Sequence, residues 1–193
     1  MRTRVGYTGG TTENPTYRNL GDHIETVEMD FDPSVISYED LLGVFWASHD
    51  PAVRPWRRQY MSAIFYHNDE QKRWALGTKD AEAARRKGRV QTEILPASRF
   101  HLAEGYHQKY ALRGSPELMK EYEAIYSSLH DLLASTAVAR VNGYVGGYGT
   151  CEALREQLGE LGLSPSGRKR LAEMVCPQEK RRNSGTGEAC PAG

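Results

Sequence analysis

The stretch DHIETVEMDFDPSVISYEDLLGVFW, residues 22–46, has the pattern of a strand followed by a helix. Within residues 23–31, polar and apolar side chains alternate as in a half-buried strand, and Glu25 falls on the same face as Val27 and Met29. The apolar members of that face predict that it is buried. We therefore expect Glu25 to point inward, where a carboxylate is costly unless it is paired or used.

A helix is predicted directly after this strand. Ser37 and Asp40 have the spacing of a capping box, and apolar residues continue to Trp46 before the break at Pro51. By the same periodicity arguments, we expect strands over 2–7, 60–66 and 90–95 and a mostly solvated helix over 69–87. This order of elements predicts an α+β fold, a two-layer sandwich in which helices pack on a mixed sheet.

The second half of the chain has helical spacing throughout. The segments with that spacing are 103–112, 116–134, 150–160 and 165–175, and glycines separate them. We therefore predict three parts of the chain: a sandwich domain over 1–112, a helical extension over 113–175 and a tail over 176–193. The tail is polar and contains glycine and proline, so we expect it to be disordered.

The composition narrows the possible functions. The 193 residues include 25 basic and 25 acidic side chains, and this balance argues against a nucleic-acid or membrane-surface role. No apolar run approaches the roughly 20 residues of a membrane span, and the N-terminal residues lack the apolar core of a secretory signal. We expect a monomeric, cytoplasmic protein. Its histidines and cysteines lack the paired spacing of metal ligands, so no metal and no cofactor is predicted.

Four tyrosines and one acid are the candidates for chemistry. Tyr17 closes the glycine-rich loop of RVGYTGGTTENPTY, Tyr60 starts a predicted strand, and Tyr110 and Tyr144 stand in AEGYHQKY and NGYVGGYGTC. Phenols around a buried carboxylic acid can bind a polar oxygen and protonate it, because burial favours the neutral acid. Taken singly, each tyrosine is more often an ordinary core or surface residue than a functional one, and Glu25 fits a salt-bridge partner as well as a functional acid.

Together, RVGYTGGTTENPTY, DHIETVEMDFDPSVISYEDLLGVFW, QYMSAIFYHNDEQK and VQTEILPASRFHLAEGYHQKY resemble the A-type peptide methionine sulfoxide reductases. The resemblance runs from Arg4 to about Tyr110, with several motifs in the family's order. It implies a ferredoxin-like sandwich. It also implies thiol-dependent reduction of methionine (S)-sulfoxide, free or in proteins, with thioredoxin or another dithiol as the reductant.

The family's chemistry implies roles for residues of this chain. In the family, a cysteine attacks the sulfoxide sulfur, a glutamate gives a proton to the oxygen, and tyrosine hydroxyls hold that oxygen. Glu25, Tyr17 and Tyr60 match those positions, and Tyr110 and Tyr144 are further substrate-binding candidates. Departure of methionine leaves the cysteine as a sulfenic acid, which a second cysteine resolves.

The chain also departs from the family pattern. The family's nucleophile lies in a GCFWG motif upstream of GYTGG, and the 193 residues do not contain that motif, so we expect an incomplete N-terminus. Cys151 resembles a resolving cysteine, Cys190 is the alternative, and Cys176 fits a structural or incidental role. Without the nucleophile, a second class of function stays open, a catalytically silent module that binds methionine sulfoxide.

Two basic clusters, RPWRR and ARRKGR, remain outside these motifs. At zero net charge, such clusters are more often solvated surface than contacts to nucleic acid. The position of RPWRR just before Tyr60 still allows it to favour acidic or peptide substrates.

Overall fold

A computed structural model describes residues 1–176 of the chain. The strands are β1 Arg2–Thr8, β2 Ile24–Asp30, β3 Ala63–Tyr66, β4 Glu93–Pro96 and β5 His101–Leu102. The helices are α1 Tyr38–Ala47, α2 Asp69–Arg86, α3 Tyr110–Arg113, α4 Pro116–Ile125, α5 Leu129–Ala134, α6 Thr136–Val145, α7 Cys151–Gln157 and α8 Pro165–Val175. Two 3-10 turns cover Arg58–Tyr60 and Leu158–Glu160. The α+β class is confirmed, and residues 177–193 of the predicted tail lie outside the described residues.

The strands form two sheets. β1 lies between β2 and β5 and is antiparallel to both, with Val5 opposite Val27. β3 and β4 pair in parallel, with Ile64 opposite Ile94. Within residues 1–176, β2 and β3 each keep one unpaired edge, so the sheet expected as one unit is divided into two.

The exposed face of β2 is the one that the sequence pattern predicts to be buried. Glu25 and Val27 are both exposed, Val27 by 52%, so the expectation that Glu25 points into the core is wrong. The opposite face of β2 is partly covered, because Arg4 of β1 binds the two acidic side chains on that face. The guanidinium donates hydrogen bonds to Glu28 at 2.6 Å and to Asp30 at 2.9 Å. Cross-strand ion pairs of this kind cover polar side chains without leaving an apolar pattern in the sequence.

Two helices accompany the parallel strand pair. α1 begins with the predicted capping box, in which the Ser37 hydroxyl accepts from the Asp40 N–H and the Asp40 carboxylate accepts from the Ser37 N–H. α2 begins at the Asn68 cap and ends at Lys87, whose φ of 52° stops the helix one residue before Gly88. The core shared by these elements consists of Leu42, Trp46, Ile64, Ala75 and Val90.

The helical half contains the largest core. Its fully buried side chains include Leu118, Tyr122, Val138, Val141, Leu154 and Leu171. The helix predicted over 103–112 is wrong for most of its length, because β5 and a series of turns occupy 101–109 and α3 begins at Tyr110. The helix predicted over 116–134 divides into α4 and α5, and α6 is missed because Gly143 suggests a break. In the described part of the chain, no helix has both the length and the apolar character needed to cross a membrane.

Two side chains join the helical half to β1. Gln108 pairs with the backbone of Val5, where its Nε2 donates to the carbonyl at 2.8 Å and its Oε1 accepts from the N–H at 3.0 Å. Lys109 is buried and donates from Nζ to the carbonyl and the hydroxyl of Thr3, both at 2.8 Å. Burial lowers the pKa of Lys109 to about 8. Burial therefore disfavours the positive charge of Lys109, and the hydrogen bonds to the two oxygen atoms of Thr3 stabilise it.

Replacing Lys109 tests this account through the pH dependence of stability. Because the folded-state pKa of about 8 lies below the ordinary 10.5, the favourable contribution of Lys109 is present above pH 10.5 and lost as the pH falls through 8. We expect the free energy of unfolding by urea to rise between about pH 8 and 10 through this group, and Lys109→Met to lack that rise. Lys120→Met, at an exposed position of α4, is the matched control and should keep it. An equal rise in both variants would contradict the burial of the charge.

Candidate functional site

The carboxylate of Asp22 shapes the loop after β1. Asp22 accepts hydrogen bonds from the backbone N–H groups of Thr11 and Thr12 and from both of their hydroxyls, at 2.8 to 3.0 Å. These bonds hold the pKa of Asp22 far below its ordinary value. Gly9 turns the chain with a φ of 78°, and a side chain at Gly10 would collide with Asp22. The glycines of GYTGG therefore allow the loop to approach the start of β2 closely.

His23 holds the other side of the same loop. The ring is buried, its Nδ1 accepts from the Gly10 N–H at 3.2 Å, and its Nε2 donates to the Thr12 carbonyl at 2.8 Å. Both ring nitrogens are thus bound to backbone groups, which selects the tautomer with its proton on Nε2. Glu25 follows two residues later in β2. His23 therefore fixes both the loop and the start of the strand that carries Glu25.

Tyr17, Glu25 and Tyr60 come together at this loop. The pKa of Tyr17 lies above its ordinary value because Tyr60 stands next to it and the Glu25 carboxylate lies nearby. The side-chain amide of Gln59 donates a hydrogen bond to Oε1 of Glu25 at 2.6 Å. Tyr17 and Tyr60 are 42% and 44% exposed, so the cluster remains accessible to a ligand. The sequence pattern predicts that Tyr60 starts a strand. In the structure Tyr60 instead ends a 3-10 turn.

Arg58 anchors the turn that carries Tyr60. Its Nε donates to the carbonyl of Asp22 at 2.8 Å, and a terminal nitrogen of its guanidinium donates to the carbonyl of Gly9 at 3.2 Å. These bonds connect the turn to the loop that leads to Tyr17. Within RPWRR, Arg58 therefore has a structural role that the interpretation as solvated surface misses.

Glu104 is a further residue of the site that the sequence pattern does not single out. Its Oε2 accepts from the Tyr7 hydroxyl at 2.6 Å, and its Oε1 accepts from the backbone N–H of Tyr17 at 3.0 Å. Burial opposes the charge on Glu104, but the hydrogen bonds outweigh it and hold the pKa below its ordinary value. Burial and the neighbouring Glu104 together raise the pKa of Tyr7 strongly. The carboxylate thus joins β1 to the residue that closes the loop.

Two cavities meet at Glu25. One has a volume of about 310 Å³, and its lining includes Tyr17, His107 and Tyr110. The other is an apolar groove of about 300 Å³ lined by side chains of β2, β3 and α1. Glu25 lines both cavities, so a ligand in either one lies beside this residue. Tyr110 is 78% exposed at the first cavity, where it is free to contact such a ligand.

The structure places two of the predicted site residues elsewhere. Tyr144 is buried in the helical core and lines neither cavity, because its ring packs among the helices. Cys151 is bonded to Cys176 in a disulfide, so it is not a free thiol here, and this bond fits the structural reading of Cys176. Cys190 lies outside the described residues.

The arrangement suits the binding of a polar oxygen. Two phenol hydroxyls can donate hydrogen bonds to such an atom, and a carboxyl group beside them can exchange a proton with it. Across residues 1–176, no three His, Cys, Asp or Glu side chains converge in a way that would hold a metal ion.

Comparison with known proteins gives one consistent result. A family model described as "Peptide methionine sulfoxide reductase" matches residues 1–137. A peptide methionine sulfoxide reductase of Drosophila melanogaster is 39% identical over 192 residues, which cover 98% of this chain and 75% of that protein.

Solved structures give the same assignment. Reduced Mxr1 from Saccharomyces cerevisiae has a TM-score of 0.55 and 26% identity, over 60% of this chain and 71% of that chain. Methionine sulfoxide reductase A of Corynebacterium diphtheriae has a TM-score of 0.50 and 33% identity, over 59% of this chain and 63% of that chain. The structural likeness covers about 60% of the chain, and the family model's match over residues 1–137 includes the part that holds the cluster.

Glu104→Gln tests whether Glu104 holds Tyr17 in place. Glutamine offers one acceptor and one NH₂ group to two donors, so one of the two hydrogen bonds must be lost. Because a hydrogen bond to a charged group contributes roughly 1.5–3 kcal/mol, we expect affinity for blocked methionine (S)-sulfoxide to fall at least about tenfold by calorimetry. Glu123→Gln, at an exposed position of α4, is the control. Unchanged affinity in a variant that folds normally by circular dichroism would exclude this role for Glu104.

Proposed function

The chain belongs to the peptide methionine sulfoxide reductase family, and we propose that Glu25, Tyr17 and Tyr60 are the residues with which it acts on methionine (S)-sulfoxide. The observation that carries this assignment is geometric: Tyr17 and Glu25 line the same cavity, and Gln59, the neighbour of Tyr60 in the 3-10 turn, donates a hydrogen bond to Glu25 at 2.6 Å. Tyr110, at the rim of the adjoining cavity, is proposed to contact the rest of the substrate.

The proposed reaction divides the work between the cluster and a thiol. Tyr17 and Tyr60 donate hydrogen bonds to the sulfoxide oxygen, and Glu25 acts as the general acid that gives that oxygen a proton. A thiolate attacks the sulfur, the oxygen passes to the attacking sulfur as a sulfenic acid, and methionine leaves. A second thiol then forms a disulfide with that sulfur and releases water. In sum, one sulfoxide and two thiols become one sulfide, one disulfide and one water.

Gln59 prepares the acid for this step. Its amide holds Oε1 of Glu25 at 2.6 Å, which leaves Oε2 free to carry the proton toward the oxygen. Since Gln59 and Tyr60 belong to the same 3-10 turn, the acid and one hydroxyl are positioned by one short element.

We also propose that the two sheets are parts of one ferredoxin-like sheet. The unpaired edges of β2 and β3 both border the apolar groove, and an extended segment lying there could pair with each of them. Such a segment would pass directly by Glu25, which lines the groove. A cysteine in it would therefore meet the sulfoxide from the side opposite the Tyr110 cavity.

A dithiol such as thioredoxin is the proposed reductant, and the chain is proposed to act as a cytoplasmic monomer. The disulfide between Cys151 and Cys176 supports a redox partner, because disulfides of cytosolic proteins are usually transient ones that a dithiol opens again by exchange. We propose that Cys151, once the bond is opened, serves as the recycling thiol.

A silent binding module is the second candidate function. It is favoured by the fact that both described cysteines, Cys151 and Cys176, are bonded to each other. Turnover of a methionine sulfoxide peptide by the chain with dithiothreitol would exclude this candidate, whereas stoichiometric binding without turnover would support it.

Glu25→Gln tests the acid. In a chain carrying a GCFWG-containing segment fused before Met1, we expect turnover to fall by about 10²–10⁴-fold, since the amide cannot donate the proton that a positioned general acid supplies. Glu28→Gln, on the opposite face of β2, is the matched control and should lose little activity. The measurement is the rate of methionine formation with dithiothreitol as the reductant. Near-normal turnover in Glu25→Gln would remove the carboxyl from the mechanism.

Cys151→Ser and Cys176→Ser separate a structural from a recycling role. Each substitution removes the same disulfide across 25 residues, so each should lower the free energy of unfolding by about 3 kcal/mol. In the same fused chain, we expect only Cys151→Ser to block thioredoxin-driven cycling while it spares the first turnover. Full cycling in both variants would leave the bond with a structural role alone.

A further inference from the structure

Trp56, two residues before the turn that carries Tyr60, has a largely exposed ring. Its side chain is 74% exposed, although tryptophan is usually largely buried. The ring lies 5.5 Å from the ring of Tyr60, and the guanidinium of Arg57 lies 4.5 Å above it. The three side chains form a continuous surface that starts at the proposed oxygen-binding hydroxyl.

The positive charge of this surface has no acidic partner. Within residues 1–176, no carboxylate lies within ion-pair distance of the Arg57 guanidinium. Arg58 of the same loop is different, because its guanidinium is bound to backbone carbonyls. A carboxylate is the complementary ligand, since a guanidinium presents paired N–H groups that match its two oxygens.

We propose that Trp56 and Arg57 form a subsite for an acidic residue next to methionine sulfoxide in a peptide substrate. The proposal rests on the proposed function, because Tyr60 is taken to hold the sulfoxide oxygen. Two residues of an extended peptide span about 7 Å, which covers the 5.5 Å from the Tyr60 ring to the Trp56 ring, and the side chain of the flanking residue then bridges the further 4.5 Å to Arg57. A residue one or two places from the sulfoxide therefore reaches the guanidinium.

The two side chains divide recognition between them. The flat ring of Trp56 packs against the apolar part of the peptide, which applies to any flanking sequence. The guanidinium of Arg57 distinguishes flanks by charge, attracting aspartate and glutamate and repelling lysine. Because this charge is exposed, the preference should be modest, about two- to fivefold, and should weaken as salt screens it.

Calorimetric titration of the full chain measures the preference. The probes are blocked pentapeptides with methionine (S)-sulfoxide at the centre and aspartate, asparagine or lysine on both sides. We expect the aspartate peptide to bind about two- to fivefold more tightly than the asparagine peptide at low salt, the lysine peptide to bind most weakly, and high salt to reduce both differences. Trp56→Ala should weaken all three peptides alike.

Arg57→Gln is the decisive variant. It should bind the asparagine peptide as the unchanged chain does and lose the preference for aspartate, while Arg89→Gln, an exposed arginine after α2, should keep it. Equal binding of the three peptides by the unchanged chain would overturn the subsite and leave the proposed function standing. A preference that persists in Arg57→Gln would also overturn it. If no sulfoxide peptide binds at all, both the subsite and the proposed function are wrong.

Discussion

The site depends on the attachment of the loop after β1 to the first residues of β2. Asp22 takes four hydrogen-bond donors of Thr11 and Thr12, and His23 takes one donor and one acceptor of the same loop. These contacts are made by consecutive residues at the start of the strand that carries Glu25. The position of the acid and the path of the loop to Tyr17 are therefore set by one structural unit. The loop part of the site is therefore held rigidly, because it is hydrogen-bonded to the end of a strand.

Two further contacts complete that unit from other parts of the chain. Arg58 binds the loop through backbone carbonyls and brings Tyr60 with it, while Glu104 binds the backbone of Tyr17 and the hydroxyl of Tyr7. Each contact involves a charged group and a backbone or phenol partner, which is the stronger class of hydrogen bond. Residues distant in sequence are thus fixed relative to one another although their side chains remain partly exposed. The cluster can be both open to a ligand and precisely positioned, because Arg58 and Glu104 hold it through backbone groups and leave the reacting side chains free.

The sequence predicts where the strands and helices of this fold lie better than it predicts which of their faces are buried and which elements they pack against. Ser37 has its capping box because that signal is local, and β2 spans the predicted residues because alternation is local as well. The exposure of Glu25 cannot be predicted locally, because it depends on how Arg4 neutralises the other face of the strand. Tyr144 shows the same limitation. Its motif gives no sign of whether the ring enters the site or the helical core, and packing among the helices decides it.

The site residues divide in the same way. Tyr17, Glu25 and Tyr60 stand in motifs with a recognisable order, and the resemblance is enough to group them. Glu104 and Gln59 are found only from coordinates, because a carboxylate that binds a backbone N–H and an amide that binds a carboxylate have no spacing rule in the sequence. Supporting residues of this kind act through contacts between distant segments, and sequence periodicity reports only contacts within one segment.

The helical half contributes to the site through the segment that joins it to the sheet. Glu104 holds the loop of Tyr17, Gln108 pairs with both backbone groups of Val5, and Lys109 is buried against Thr3. A buried lysine with a lowered pKa is unfavourable in itself, so the attachment to β1 must compensate for it. The packing of the helical core, which begins at Leu112 directly after this segment, can offset the cost of burying Lys109. Movement of the helices would then shift Glu104, and with it Tyr17, without any helical side chain lining the cavity. The match of the Drosophila protein over 98% of this chain agrees with a sheet and a helical half that belong together.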